Sequence, residues 1–549
     1  KEVLLWHGLK RTKQQLSYTI EELIATKDEM AEKLYDVVVI GSGAGGGTLS
    51  ARLAELGAEV LVLEGGPKLN PRTEVNTHAL PYEFPYRHVP VMKPGKPGMD
   101  GERSRGLGGK TQLWNAVALR FSQRDFKGSQ HDGAGEDWPF GYADIKPYYD
   151  RIEQQVGVCG NYDHLEDLPD GIFMPPPAMK CTDLAIKAGA KRLGVPVIHV
   201  RKATLSQPRG ARPACHFCGN CMSGCDVVAK YNSYDVHMIP ASRSGKLTLQ
   251  HNSIVHELAV SDEAEVKEVR YFDRETRAEG AARGRVVVVA CACAQSVALL
   301  LMSKSSRFPT GLGNSSGQLG KNFIPHITAG FEAFLTDFIG KPPVNDEGFL
   351  DHAYIPSFMH ERKRDYARSF GVQFNYQNHR SVGWARSIKG MGRAYKQAIK
   401  DRYPAYLTFT GYHEMLPNKD SFIDLDPERV DEYGLPRARR SWKLSDADWK
   451  LHNDMKKWCR EILLASKAEI LTVSQGPATN HEVGGCRMGT DSRTSVVNEF
   501  CRSHDVPNLY VVDASVFPSS SEKNPTLTIM ALATRTADHI AEQLKRSPA

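Results

Sequence analysis

Tyr35-Asp-Val-Val-Val-Ile-Gly41-Ser-Gly43-Ala-Gly-Gly46-Gly-Thr48 is a mostly apolar run that stops in a cluster of glycines. Thr48-Leu-Ser-Ala-Arg-Leu-Ala-Glu-Leu56 then repeats its apolar residues at helical spacing, and Ala58 to Leu63 returns to a strand pattern. The order strand, glycine turn, helix, strand predicts a βαβ unit. Its turn carries Gly41, Gly43 and Gly46 at GxGxxG spacing, with Glu64 at the end of the second strand, about 20 residues on. Gly41 permits the tight turn, Gly43 lets the backbone approach a pyrophosphate, and Gly46 lets helix and strand pack closely, while the helix N-terminus faces the phosphates. Glu64 is expected to accept a ribose hydroxyl. A tight turn that binds nothing would read the same way, but the ordered unit around the glycines favours a dinucleotide. The motif alone does not separate FAD from NAD.

Outward from this unit, the composition is that of an ordinary globular chain. It has 549 residues, 41% hydrophobic and 24% charged, with a mean hydropathy of -0.41, which excludes disorder and fibre. The 70 Lys+Arg against 64 Asp+Glu leave a formal +6, and no block of basic residues marks a nucleic-acid partner. The most apolar stretch, Val286 to Met302, is broken by Gln295 and Ser296 and reads as a buried strand leading into a helix, so no transmembrane segment is expected. The first residue is Lys1, so residues missing upstream stay open, and the start of the chain lacks the apolar core of a secretory signal. Residues 1–34 read as an N-terminal helical extension, with Thr19-Ile-Glu-Glu22 as a capping box. Leu247–Leu249, Val266–Phe272, Arg285–Ala290 and Leu509–Val512 read as strands, residues 405–443 as further strands with a turn at Gly434-Leu-Pro436, and Ala294–Met302 and Thr526–Leu544 as helices.

Eleven cysteines in a chain of this length are too few for a disulfide scaffold, and four of them fall in Cys215-His-Phe-Cys218-Gly-Asn-Cys221-Met-Ser-Gly-Cys225. The C-x2-C-x2-C-x3-C spacing is the ferredoxin run without its terminal proline, and it suits an iron–sulfur cluster better than zinc, whose ligand pairs usually lie farther apart. Near the C-terminus, Thr479-Asn-His481-Glu-Val-Gly-Gly-Cys-Arg-Met-Gly489 and Asp513-Ala-Ser-Val-Phe-Pro518, leading to Asn524-Pro-Thr-Leu-Thr528, concentrate polar residues that have little reason to be in a core.

Together with Gly108-Gly-Lys-Thr-Gln-Leu-Trp-Asn115, these segments resemble the glucose–methanol–choline family of FAD-dependent oxidoreductases. The resemblance implies an α/β fold, with a Rossmann-like FAD-binding domain and a discontinuous substrate domain built on an antiparallel sheet with helices. It assigns 35–125, 205–325 and 475–549 to the FAD domain, and 126–204 and 326–474 to the substrate domain. It places His481 as general base and Asn524 beside it as donor to the developing alkoxide. A structural histidine and a helix N-cap are the plainer readings of these two residues. It also adds Gly108, Gly109, Asn115, Val255, Asp513, Ala514, Pro525 and Thr526 to the FAD cradle begun by Gly41, Gly43, Gly46 and Glu64. Tyr412-His-Glu414 either faces substrate or lies on a solvent-facing edge.

Three features depart from the family pattern. Leu113 stands where some members attach FAD through a histidine, which implies a non-covalent flavin. Ala290-Cys-Ala-Cys293-Ala-Gln-Ser296 carries Cys293 where glycine is usual. The cysteine insertion resembles a branch of bacterial sugar dehydrogenases, including FAD glucose dehydrogenase catalytic subunits and glucoside 3-dehydrogenases, that carries a 3Fe-4S cluster. Cys215, Cys221 and Cys225 match its three ligands and Cys218 is extra, so a 3Fe-4S cluster is preferred and a 4Fe-4S cluster stays open.

The resulting expectation is a dehydrogenase that oxidises a secondary hydroxyl of a sugar or glycoside, with C3 as one candidate carbon, and passes electrons through the cluster. The alternatives are an oxygen-using oxidase with a structural metal at the cysteines, and a flavin-binding scaffold, which the presence of both His481 and Asn524 argues against. The same branch implies a small accessory subunit and a cytochrome or quinone acceptor. It implies a periplasmic location through a separately exported partner subunit, with the cytoplasm as the alternative.

Overall fold

Val37, Val38, Val39 and Ile40 are all buried, so this strand has no solvent face and needs cover on both sides. The computed structural model describes residues 33–68, 87–88, 103–219, 221–222, 224–342, 352–376 and 383–546. In it β1 (Leu34–Ile40) leads through the glycine turn into α1 (Ala44–Glu55) and back through β2 (Val60–Leu63). β3 (Leu247–Gln250), β4 (Ser253–Val260), β5 (Val266–Asp273) and β6 (Glu279–Val289) complete a sheet of order β3-β2-β1-β6-β5-β4, with the strand Leu509–Val511 also paired to β6. Pairing is parallel from β3 through β6 and antiparallel beyond, with Val37 opposite Val60 and Val286. Residues 1–32 of the expected N-terminal helix lie outside the described residues, and Leu34 already belongs to β1.

The helix starts at Ala44, four residues before the expected Thr48, because the glycines themselves form its first turn. Their spacing has steric causes. A Cβ on Gly46 would lie 2.0 Å from the Gly41 carbonyl oxygen and one on Gly45 2.1 Å from that of Val512, while a Cβ on Gly43 would meet nothing within 4 Å. Gly46→Ala is therefore expected to push α1 off the sheet at a cost of about 1–3 kcal/mol. A lower thermal midpoint and reduced FAD occupancy of the purified protein would check this, and wild-type values for both would refute it.

The second sheet comprises β7 (His326–Leu335), β8 (Ala353–Ile355), β9 (Phe370–Tyr376), β10 (Tyr406–His413), β11 (Ala468–Val473) and β12 (Ala478–Asn480). It is antiparallel, in the order β11-β7-β10-β9-β8 followed by the short strand Ile198–His199, with β12 also on β7. α2 (Cys293–Met302) packs against the first sheet, whereas α3 (Asp446–Ala465) lays Leu451, Met455, Ile462 and Leu463 in the same core as Phe331 and Phe409 of the second. α4 (Thr526–Arg546) packs on α1. Residues 422–441 form a separate two-stranded ribbon, which turns at Gly434 with φ +82°. β10 is flanked on both sides, by β7 and β9, so the solvent-edge reading of Tyr412 and His413 is wrong: a strand hydrogen-bonded on both edges has no edge to expose.

Candidate active site

The site forms where the end of β12 meets the start of β7. Asn480 pairs with His326, so the next residue, His481, leaves the second sheet directly above His326. His481 takes a left-handed turn at φ +47°, and the chain then runs beside the Asp513 segment. Gly484 N–H donates to Ala514 O (3.0 Å), Cys486 N–H to Ser515 O (2.8 Å) and Met488 N–H to Val516 O (2.9 Å). The two polar C-terminal segments are therefore one hydrogen-bonded unit between the two sheets.

Within it, Gln373 Nε2 of β9 donates to Asn524 Oδ1 at 2.7 Å, and Asn524 Nδ2 lies 3.0 Å from His481 Nε2. Because the Asn524 oxygen faces Gln373, its amide nitrogen faces the imidazole, so His481 Nε2 accepts and carries a lone pair. On its other side His481 Nδ1 lies 3.0 Å from His326 Nδ1. Burial, and then the charge of Lys110 from the glycine loop, push His481 down to about 4. The imidazole is thus neutral at physiological pH. Tyr412 stands beside it, ring centroids 5.7 Å apart. Asn524 is buried, and its side chain serves His481 and Gln373 rather than capping α4. Next to it, buried Lys523 is neutralised by Asp125 (2.8 Å) and Glu522 (3.0 Å).

The nucleotide cradle lies at the C-terminal end of β1. Open space faces Gly43 at the helix N-terminus, and Gly108 and Gly109, with φ +94° and +51°, bring the second glycine loop against it. Gly108 N–H donates to Ser42 Oγ at 3.0 Å. Glu64 is buried at the end of β2, where its carboxylate accepts from Ser42 N and Oγ and from Gly66 N. Val255 sits two residues after Ser253, whose N–H donates to Glu64 O. Asp513 accepts from Ser296 Oγ and, at 2.8 Å, from Ser515 N–H, and burial holds its carboxyl above the usual range. Ala514 is buried beside it, Pro525 O accepts from Ile529 N–H at the start of α4, and Thr526 is the first residue of that helix. Asn115 is held by Lys202 Nζ at 2.9 Å. The open face at Gly43, the helix N-terminus and the buried carboxylate suit the pyrophosphate and ribose of FAD.

Cys221 is joined to the second glycine loop through Lys230. Phe217, Gly219, Gly224 and Val228 all have positive φ, and Val228 N–H donates to Cys225 O at 3.3 Å. Phe217 N–H donates to Cys215 Sγ (3.3 Å) and Lys230 N–H to Cys225 Sγ (3.5 Å). Burial, and then charge on Cys221, Cys225 and Cys218, push the Cys215 thiol up to about 12. Lys230 Nζ, fully enclosed, donates to Gln112 O, Trp114 O and Cys221 O, which ties the cysteines to the glycine loop. Among the described residues no three His, Cys, Asp or Glu side chains stand in metal-sharing geometry. The donor set, with Cys218, Cys221 and Cys225 within electrostatic reach of Cys215, two sulfurs accepting backbone N–H bonds and buried Lys230 alongside, has the chemistry that would suit an anionic iron–sulfide core.

Sequence reasoning missed His326 and Gln373. His326 had one signal, a polar residue immediately after Pro325 at the head of an apolar strand; Gln373 had none.

Models of the GMC oxidoreductase N- and C-terminal regions match residues 44–328 and 417–533. The chain is 29% identical over 542 residues to 2-methyl-1,2-propanediol dehydrogenase of Mycolicibacterium austroafricanum, covering 92% of this chain and 95% of that one. It is 26% identical over 552 residues to the fructose dehydrogenase large subunit of Gluconobacter japonicus, covering 93% and 98%. A formate oxidase from Aspergillus oryzae superposes with a TM-score of 0.66 at 15% identity, over 95% of this chain and 100% of that one. Among the described residues no helix is long and apolar enough to cross a membrane.

Proposed function

The chain belongs to the GMC oxidoreductase family, FAD-dependent enzymes that act on CH–OH donors, and from that premise we propose that it is a dehydrogenase for a secondary hydroxyl of a sugar or glycoside, C3 among the candidate carbons. The observation that carries this reading is the ordered chain Gln373–Asn524–His481 beside the glycine cradle. Bound there, FAD supplies the acceptor for the hydride that leaves the carbinol carbon.

Without substrate, His481 Nε2 accepts from Asn524 Nδ2; as the hydroxyl binds, that amide N–H turns to the substrate oxygen, and His481 receives the hydroxyl proton at the lone pair this frees. A carbinol C–H releases hydride readily only as its O–H proton departs, so this transfer belongs to the same step. Asn524 donates its amide N–H to the oxygen as negative charge builds there, and Gln373 keeps that amide from flipping. Tyr412 walls one side of the imidazole.

Cys215, Cys221 and Cys225 would hold an iron–sulfur cluster, three irons preferred and four open, with Cys218 as the extra thiol. Such a cluster supplies one-electron relay from a two-electron donor to a cytochrome or quinone. Lys230 supports this reading because it joins Cys221 to Gln112 and Trp114 of the loop that lines the cradle. A relative named as a large subunit supports a small accessory subunit for this chain too, one whose export would carry it to the periplasm.

The test is an anaerobic optical titration with glucose, simple glucosides and a simple diol. Bleaching of the flavin band followed by loss of broad cluster absorbance is expected with the sugars. Flavin bleaching without a cluster signal, together with rapid reoxidation by oxygen, would replace the dehydrogenase by an oxidase. Bleaching by the diol alone would remove the sugar assignment.

A further inference from the structure

We propose that His326 is a positioning residue that fixes the tautomer of His481 and strengthens it as a base. This rests on the reading of His481 as general base. The two Nδ1 atoms are 3.0 Å apart and the rings stand at 84°, so one nitrogen must carry the shared proton and the other must accept it. Asn524 decides which. Its N–H is aimed at His481 Nε2, so the proton of neutral His481 is on Nδ1, and Nδ1–H donates to His326 Nδ1. His326 then carries its own proton on Nε2, a buried nitrogen with no hydrogen-bond partner among the described residues.

The surroundings keep His326 an acceptor. It is fully buried at the head of β7, and it is faced by His481, by His413 and Tyr412 of β10, and by Lys523, whose charge is balanced by Asp125 and Glu522. Burial and these neighbours hold it well below the ordinary histidine value. His481 is faced in turn by Lys110, Tyr412, His326 and Asn524. When His481 takes the substrate proton at Nε2, its Nδ1–H bond to His326 becomes charge-assisted and about twice as strong. The stabilisation grows as the proton moves, so it acts on the rate rather than on substrate binding. No proton leaves the pair in the step: the O–H bond of the substrate breaks, the Nε2–H bond forms, and the Nδ1 proton stays on His481.

The experiment is stopped-flow anaerobic flavin reduction of the holoenzyme across pH, with the sugar that bleaches it. His326→Leu removes the acceptor and is expected to lower the limiting rate about 10–100-fold, with KM little changed. His326→Asn, whose Oδ1 can accept from the same Nδ1–H, should recover most of that rate. His326→Asp places a carboxylate against Nδ1–H and should move the acid limb of the profile to higher pH, a shift that a packing role would not produce. An unmoved limb in the Asp variant, or a wild-type rate in the Leu variant, overturns the inference. Should the Leu variant lose FAD, the Asn and Asp variants carry the test alone. His481→Ala runs in parallel: if it still reduces flavin, the base reading and this inference fall together, whereas loss there with no effect at position 326 removes only this inference.

Discussion

His481→Ala should keep FAD bound and lose reduction of that flavin by substrate, with the limiting rate falling by the ~10²–10⁴-fold that a general base contributes. FAD retention follows from the geometry, because the side-chain hydrogen bonds of His481 go to Asn524 and His326 rather than to the cradle around Gly43, Gly108 and Glu64. The pH sign is also set. Burial and Lys110 lower the imidazole to about 4, and the base acts only when unprotonated. The wild-type rate should therefore be flat above that value and fall as pH drops through it, while the Ala variant should lose this limb altogether. A stopped-flow series between about pH 3 and 8 measures both. Near-wild-type reduction in the Ala variant at neutral pH would show that the proton leaves by another route.

The sequence made β1, α1 and β2 readable because three independent signals coincide there: a double-sided apolar strand, glycines at a fixed spacing, and a carboxylate at the end of the second strand. Its error was local. Glycines weaken a helix in isolation, so Thr48 looked like the start, whereas the close packing of Gly45 and Gly46 on Val512 and Gly41 makes them part of the helix. His481 and Asn524 were visible through their family context, but their mutual order was not. It depends on Gln373, which reaches Asn524 from the middle of a strand 151 positions away. His326 was hidden for a similar reason, since only the pairing of Asn480 with His326 brings it under His481. Tyr412 and His413 were ambiguous because alternation gives a strand its faces but not its place in the sheet, and β10 proves to be internal. The cysteine spacing was legible, yet the left-handed turns at Phe217, Gly219, Gly224 and Val228 and the N–H bonds from Phe217 and Lys230 to the cysteine sulfurs were not.

Those turns lead to the second large effect. On the proposed reading that the cysteines hold a cluster, Cys221→Ser should leave anaerobic reduction of the flavin by substrate intact and sharply slow the delivery of electrons to a one-electron acceptor, with a fall in bound iron. Loss of an outer partner of a metal site costs ~10–100-fold, and loss of a ligand should cost at least as much. Cys221 is the informative position because it is buried and its own carbonyl accepts from Lys230 Nζ at 2.6 Å, the group that also holds Gln112 and Trp114. Serine keeps this backbone contact and the volume of the side chain, so the loop stays in place while the soft sulfur donor is lost. His481→Ala and Cys221→Ser should therefore separate the two half-reactions: the first stops electrons arriving on the flavin, the second stops them leaving. Cys218→Ser refines the assignment, since a three-ligand cluster tolerates it and a four-ligand cluster loses iron. If Cys221→Ser leaves both metal content and one-electron turnover unchanged, the relay fails. If the purified protein instead holds zinc and turns over with oxygen, the cysteines serve structure and the enzyme is an oxidase.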